Sequence, residues 1–189
     1  MKKTFFSFVI VTAGLLTISC GNNKSNGADG KDSTAVAAEE NPKGFTTYTN
    51  EQMGYSVNIP DWMTRQDPTV GAESGTIFVS DPNSIDAIRI ETSGGNDGSL
   101  GDPWTAESVK RNFESEKEMG GKGEFVEEEC GDNYYYYKRK SEDGEAITTK
   151  KEVFSGMKRA SVVIYYDNKD AERIGGDVAK QIMKSLKIK

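Results

Sequence analysis

The side chains able to do acid–base or nucleophilic chemistry are few in this 189-residue chain, and their types narrow the chemistry sharply. There is no histidine. That excludes Ser-His-Asp and Cys-His catalysis from within the chain and removes the commonest zinc ligand. The only cysteines are Cys20 and Cys130. A nucleophilic thiol needs a neighbouring base or cation to ionise. The neighbours of Cys130 in sequence, Glu127 to Glu129 and Asp132, supply neither, so Cys130 reads as a half-buried residue at a strand end.

Three further clusters carry polar chemistry. Glu127, Glu128 and Glu129 are consecutive on an expected strand. Alternation puts Glu127 and Glu129 on one face, where they suit a cation or a basic partner, though such a run is commonly a solvated face. Gly94-Gly95-Asn96-Asp97-Gly98, with Asp102 beyond it, offers hard oxygens of the kind Ca²⁺ takes. It matches neither the EF-hand spacing nor the Gly-Gly-x-Gly-x-Asp repeat, so it reads as a surface loop and no metal site is assigned. Tyr134 to Tyr137 place two rings in and two out; with Tyr135 and Tyr137 outward they form an aromatic platform for a sugar or a peptide. The ordinary alternative is cross-strand support of the sheet. Trp62 reads as core, and Trp104 as a surface aromatic. No phosphate-binding glycine loop, nucleophile elbow or basic stripe occurs, and no cofactor is expected.

The N-terminal segment says where such a protein works. Lys2 and Lys3 precede a run from Phe5 to Ile18 without charge, whose end leads into Ser19-Cys20-Gly21 as Thr17-Ile18-Ser19-Cys20-Gly21. A run this short with these flanks is an export signal and not a spanning helix. Ser19-Cys20 resembles the lipobox of bacterial lipoproteins, which is cut before an acylated cysteine; Leu16 stands one place earlier than that pattern has it. The resemblance implies a signal peptide over residues 1–19 and acyl chains such as palmitate on Cys20. Each buried CH₂ is worth about 0.8 kcal/mol, so two or three chains hold a protein to a membrane. The expected location is the outer membrane or cell envelope, facing the periplasm or the surface. With Cys20 acylated, Cys130 has no partner for an intrachain disulfide.

Removing the two lysines of the signal takes the formal charge from −6 to −8. An acidic surface argues against nucleic acid and against anionic lipid bound through charge. Residues 20–43 hold the modified cysteine and a stretch rich in Gly, Asn, Ser, Ala and charge, which cannot bury enough surface to order itself. As a flexible tether it reaches roughly 25 Å. Residues 44–189 then form one domain, long enough to build a core without disulfides.

Tyr55, Val57 and Ile59 alternate with Ser56 and Asn58, a half-buried strand stopped by Pro60. Short strands are expected at 76–80 and 87–92, with residues 64–75 as loop. Asp102 caps a helix with Pro103 at its first position, Glu107 and Arg111 as an i,i+4 pair, and Ala106, Val109 and Phe113 on its buried face. Gly120-Gly121 ends it. A meander of four strands follows, over 124–129, 134–140, 145–154 and 157–166, with Asp143-Gly144 as a type I′ hairpin turn. The last strand is apolar on both faces and so is expected inside the sheet, covered on both sides. Ile174, Val178, Ile182 and Leu186 make the stripe of a terminal helix, with Gly175-Gly176 inside it.

The opening Tyr48-Thr49-Asn50 and Gly54-Tyr55-Ser56-Val57-Asn58-Ile59-Pro60-Asp61-Trp62 resembles the start of the PsbP-like fold, with one residue instead of two between Pro60 and Trp62. Ser161 to Tyr166, followed by a helix closing on Lys184-Ser185-Leu186-Lys187, resembles that family's end. The resemblance implies an α+β domain, an antiparallel sheet flanked by two helices in an α/β/α sandwich. Members include a photosystem II subunit of the thylakoid lumen, a nuclear-import regulator and many bacterial lipoproteins, and their common theme is binding and assembly. The expected function is therefore a lipid-anchored, non-catalytic binding or assembly module for an envelope protein or small ligand. The alternative is a histidine-free enzyme acting through carboxylates or a cation on an envelope glycan.

Overall fold

The computed structural model describes residues 42–66 and 75–189. Cys20, the signal segment and nearly all of the tether lie outside the described residues. The strands are β1 (Phe45–Asn50), β2 (Tyr55–Pro60), β3 (Thr64–Gln66), β4 (Gly75–Val79) and β5 (Arg89–Gly95), then β6 (Gly123–Cys130), β7 (Tyr134–Ser141), β8 (Ala146–Ser155), β9 (Lys158–Asp167) and β10 (Lys187–Ile188). The helices are α1 (Ala106–Met119), α2 (Ala171–Ile174) and α3 (Asp177–Ser185).

All the strand pairs are antiparallel. A seven-stranded sheet has the order β3-β4-β5-β9-β8-β7-β6, and a three-stranded sheet has the order β1-β2-β10. The large sheet carries a core on each face. On one face Ile90, Val162, Ile164 and Tyr166 meet Tyr55, Val57 and Ile59 of β2 and Ile174, Ile182 and Met183 of the terminal helices. On the other, Tyr135, Tyr137 and Phe154 meet Val109 and Phe113 of α1. This is the α+β sandwich expected, with β9 between β5 and β8. Its second face is less covered than its sequence suggests, since α1 lies over β6 and β7 and leaves Tyr165 exposed.

Several elements differ from the sequence reading. Residues 64–66 form β3, because pairing with β4 supplies ladder bonds that a polar triplet does not advertise. The cap of α1 is Thr105, not Asp102. Its hydroxyl accepts from the Ser108 N–H, and Ser108 answers by accepting from the Thr105 N–H at 2.9 Å. Ala106 is exposed, and Arg111 reaches Ser99 Oγ at 3.5 Å. At the hairpin of β7 and β8 only Gly144 has positive φ, and Asp143 instead accepts from the N–H of Glu145, so the loop is longer than a type I′ turn. The terminal stripe is split: Gly176 sits at φ +60 and ψ −121, outside helical space, which ends α2 and starts α3.

The Gly-Tyr start has a physical cause. Gly54 closes the β1–β2 turn at φ +67, where a Cβ would also meet Lys158 Nζ at 2.8 Å. Tyr55 is fully buried, and its hydroxyl donates to Thr92 Oγ1 of β5 at 3.0 Å, pinning the small sheet to the large one.

Leu100 is the one described non-glycine residue at positive φ, 56°. Ser99 and Asp102 bond to each other around it, forming a tight turn with Leu100 and Gly101 at its centre. Its side chain is 96% exposed, so packing does not repay the left-handed strain. Asn tolerates this region better. Leu100→Asn is expected to raise stability by about 0.5–1 kcal/mol, read as a higher urea midpoint with an unchanged slope.

Candidate functional site

The site is built on the β6–β7 hairpin. Phe125 pairs with Arg139 and Glu127 with Lys138, which leaves Val126 as an extra, bulged residue. The bulge sets the two faces. Phe125 turns toward α1 and meets the Tyr137 ring edge-on at 5.3 Å. Glu127 and Glu129 turn the other way and accept from Tyr136 (3.1 Å) and Tyr134 respectively. Without the extra residue, Phe125 would share their face.

The outward aromatic pair is therefore Tyr134 and Tyr136, not Tyr135 and Tyr137. Tyr135 is fully buried and Tyr137 nearly so. Phe113 of α1 stacks on both, at 5.2 and 6.5 Å. A run of four identical residues has no internal phase, and the helix laid over one face sets it.

Beneath α1 lies a charged network that the sequence does not announce. Glu152 is 4% exposed. It accepts from the Tyr135 hydroxyl at 2.5 Å, with Lys150 Nζ at 3.3 Å and Arg159 Nη1 at 3.6 Å. Lys150 also meets Glu116 of α1 at 2.7 Å, and Asn112 of α1 donates to Tyr135 at 3.3 Å. Each buried charge thus has an opposite charge and a hydrogen bond, as burial requires. Burial, then the Glu152 carboxylate, drives the Tyr135 phenol far above its ordinary range. The network clamps the helix to the sheet, and its groups are saturated by one another. The one signal available was that Asn112 and Glu116 share a helix face with Val109 and Phe113.

Between α1 and β6 the clamp leaves an open cleft of about 610 Å³. Phe113, Glu114, Lys117, Glu128 and Cys130 contribute to its lining. Lys117 lies 3.1 Å from Glu114 and 3.7 Å from Glu128, so one ammonium bridges helix and strand. Cys130 is exposed, not half-buried as expected. Partial desolvation, then the Glu114 charge, pushes its thiol up, the wrong direction for a nucleophile.

The remaining candidates lie elsewhere. Trp104 is half-buried and packs on Phe154 at 4.4 Å, which places it at the margin of the α1 core. Trp62 packs at the rim of the other core under the Arg173 guanidinium, 4.1 Å from its ring. Asp97 faces the Arg159 guanidinium at 3.6 Å. Asp102 spends its backbone on the Leu100 turn. Among the described residues no three acids or thiols gather as a metal-ligand group.

The described domain is thus an antiparallel α+β sandwich whose open features lie at one sheet edge. Its backbone is similar to the solution structure of cyanobacterial PsbP (CyanoP) from Synechocystis sp. PCC 6803, with a TM-score of 0.54 at 15% identity, covering 82% of this chain and 99% of that one. The chain has the PsbP-like fold. A protein of Bacteroides thetaiotaomicron VPI-5482 gives a TM-score of 0.46 at 10% identity over 77% of this chain and 49% of its own, too little to carry an argument. No protein-family model and no curated protein matches the sequence.

Removing Glu152 takes the acceptor from the buried Tyr135 hydroxyl and one of the two carboxylates beside the nearly buried Lys150. Glu152→Leu is expected to cost about 3 kcal/mol, whereas Glu127→Gln on the exposed face stays within about 0.5 kcal/mol; urea titrations of both variants check this. Burial raises the phenols of Tyr55, to about 12, and of Tyr135, Tyr136 and Tyr137 in the same direction. The folded state holds these protons more tightly than the unfolded chain, whose phenols titrate near about pH 10. Their contribution is whole below that pH; that of Tyr55 is lost as pH rises through about 12, and those of the other three at still higher pH. Urea midpoints are expected to fall from pH 10 to 12, with tyrosinate absorbance at 295 nm appearing together with unfolding.

Proposed function

We propose that this protein is a lipid-anchored envelope lipoprotein acting as a non-catalytic binding or assembly module. The observation that carries the binding reading is the α1–β6 cleft, open along an exposed strand and lined by paired charges of both signs. Such a surface suits a polypeptide or a small polar ligand. Two observations favour binding over catalysis. The buried acid, Glu152, is locked among Tyr135, Lys150 and Arg159, and the cleft acids Glu114 and Glu128 share the Lys117 ammonium. Neither arrangement presents an acid and a base to a substrate.

The anchoring reading rests on the uncharged run from Phe5 to Ile18 and on Ser19-Cys20. Among the described residues no helix is long and apolar enough to cross a membrane. The acidic composition argues against nucleic acid as the partner.

Metabolic labelling with a palmitate analogue, followed by membrane fractionation, tests the anchor. The wild-type chain is expected to carry label and to sediment with membranes, and Cys20→Ala to lose both. Crosslinking in cells, with mass spectrometry of what is captured, tests the assembly role. A dominant envelope partner, lost in Cys20→Ala, is the expected result; an unmodified wild-type Cys20, or no partner above background, contradicts the corresponding half of the proposal.

A further inference from the structure

We infer that β6 and the cleft beside it receive an extended cationic polypeptide segment, which joins the seven-stranded sheet as an added strand. This deepens the binding-module reading and rests on it. Three observations carry it. First, β6 ends the strand order, and among the described residues only β7 pairs with it, so its outer row of N–H and C=O groups is free to template a strand. Second, every β6 residue except Phe125 is exposed, and the α1 cleft runs beside the strand, leaving room for the side chains of an incoming segment. Third, charge selects the occupant.

Successive side chains of an added strand point to opposite faces of the sheet. On one face they would meet Glu128 and Glu114 in the cleft, and on the other Glu127 and Glu129. In the cleft Glu107, Glu114, Glu128 and Asp132 outnumber Lys110 and Lys117. On the other face Glu127 and Glu129 stand on the edge strand itself, while Lys138 and Lys151 lie on the strands behind it. The charges nearest an added strand are thus carboxylates, and lysines and arginines on the incoming segment find them on either side. A second copy does not, because pairing β6 with β6 would bring two acidic runs together, and like charges across strands are destabilising. The same glutamates that block self-association thus admit a strand of opposite sign, which is how attraction and repulsion together make a surface selective. The exposed length suits a segment of about six to eight residues at roughly 3.3 Å each.

The test uses the full-length chain, uniformly ¹⁵N-labelled, and three blocked eight-residue peptides. One alternates lysine and threonine, the second alternates glutamate and threonine, and the third is the lysine peptide N-methylated along its backbone. The lysine peptide is expected to shift the amides of residues 123–130 and to slow exchange of alternate ones at least tenfold. The glutamate and N-methylated peptides should bind at least tenfold more weakly, as should the lysine peptide to the Glu127→Lys/Glu129→Lys variant. Absence of shifts at 123–130 overturns the inference. Equal binding of the N-methylated peptide also overturns it, since charge alone would then account for binding. Because the decisive peptides act on the wild-type chain, a variant that folds poorly does not blunt the test. Partner capture in cells without strand addition would leave the binding module standing and reject only this mode.

Discussion

The arrangement of α1 depends on one buried carboxylate. Glu152 sits between a phenol, an ammonium and a guanidinium, and its partner Lys150 reaches Glu116 of α1. Val109 and Phe113 hold the helix against the sheet by apolar contact. A charge network fixes both its position and its rotation, because each displaced charge would be left desolvated and unpaired. With α1 fixed, Phe113 lies over Tyr135 and Tyr137, and the gap between the helix and β6 remains open. The cleft is therefore a consequence of where the helix is held, with acids on both of its walls.

Among the described residues β3 and β6 are the two edges of the large sheet. β6 is eight residues long and exposed, protected by a bulge and by three successive glutamates. Proteins commonly blunt long edges this way. Here the same bulge also aims Phe125 inward and the glutamates Glu127 and Glu129 outward, so one irregularity anchors the strand to the core and sets the chemistry of its rim.

Much of the architecture was legible from short-range pattern. The alternation of Tyr55, Val57 and Ile59, the meander, and the inner face of β9 follow from period-two reading, because Val162, Ile164 and Tyr166 are buried against β2 and the terminal helices, whereas Tyr165 on the other face of β9 is exposed. The PsbP-like layout was legible from the same elements, and the backbone comparison agrees with it. What escaped depends on contacts between elements distant in sequence. The phase of Tyr134 to Tyr137 is set by Phe113, the burial of Glu152 by Asn112, Glu116 and Lys150, and the strand at 64–66 by its pairing with β4. Glu127 and Glu129 share a face with Tyr134 and Tyr136, not with Tyr135 and Tyr137, since the hairpin turn sets Glu129 opposite Tyr136 and that pairing leaves no mark in composition. The split of the terminal helix at Gly176 shows a related limit. A stripe of Ile174, Val178 and Ile182 survives a break when both pieces press the same face on one core.

The central claim is that this domain works by docking a partner at the β6 edge while the charges under α1 are structural. Site-specific photocrosslinking in cells tests it most directly, with a benzophenone side chain placed at Val126 in the β6 bulge or at Ile85, which is fully exposed in the loop between β4 and β5. The account predicts a discrete crosslinked partner from position 126 and none from position 85. Capture from position 85 alone, or from neither position, would contradict it.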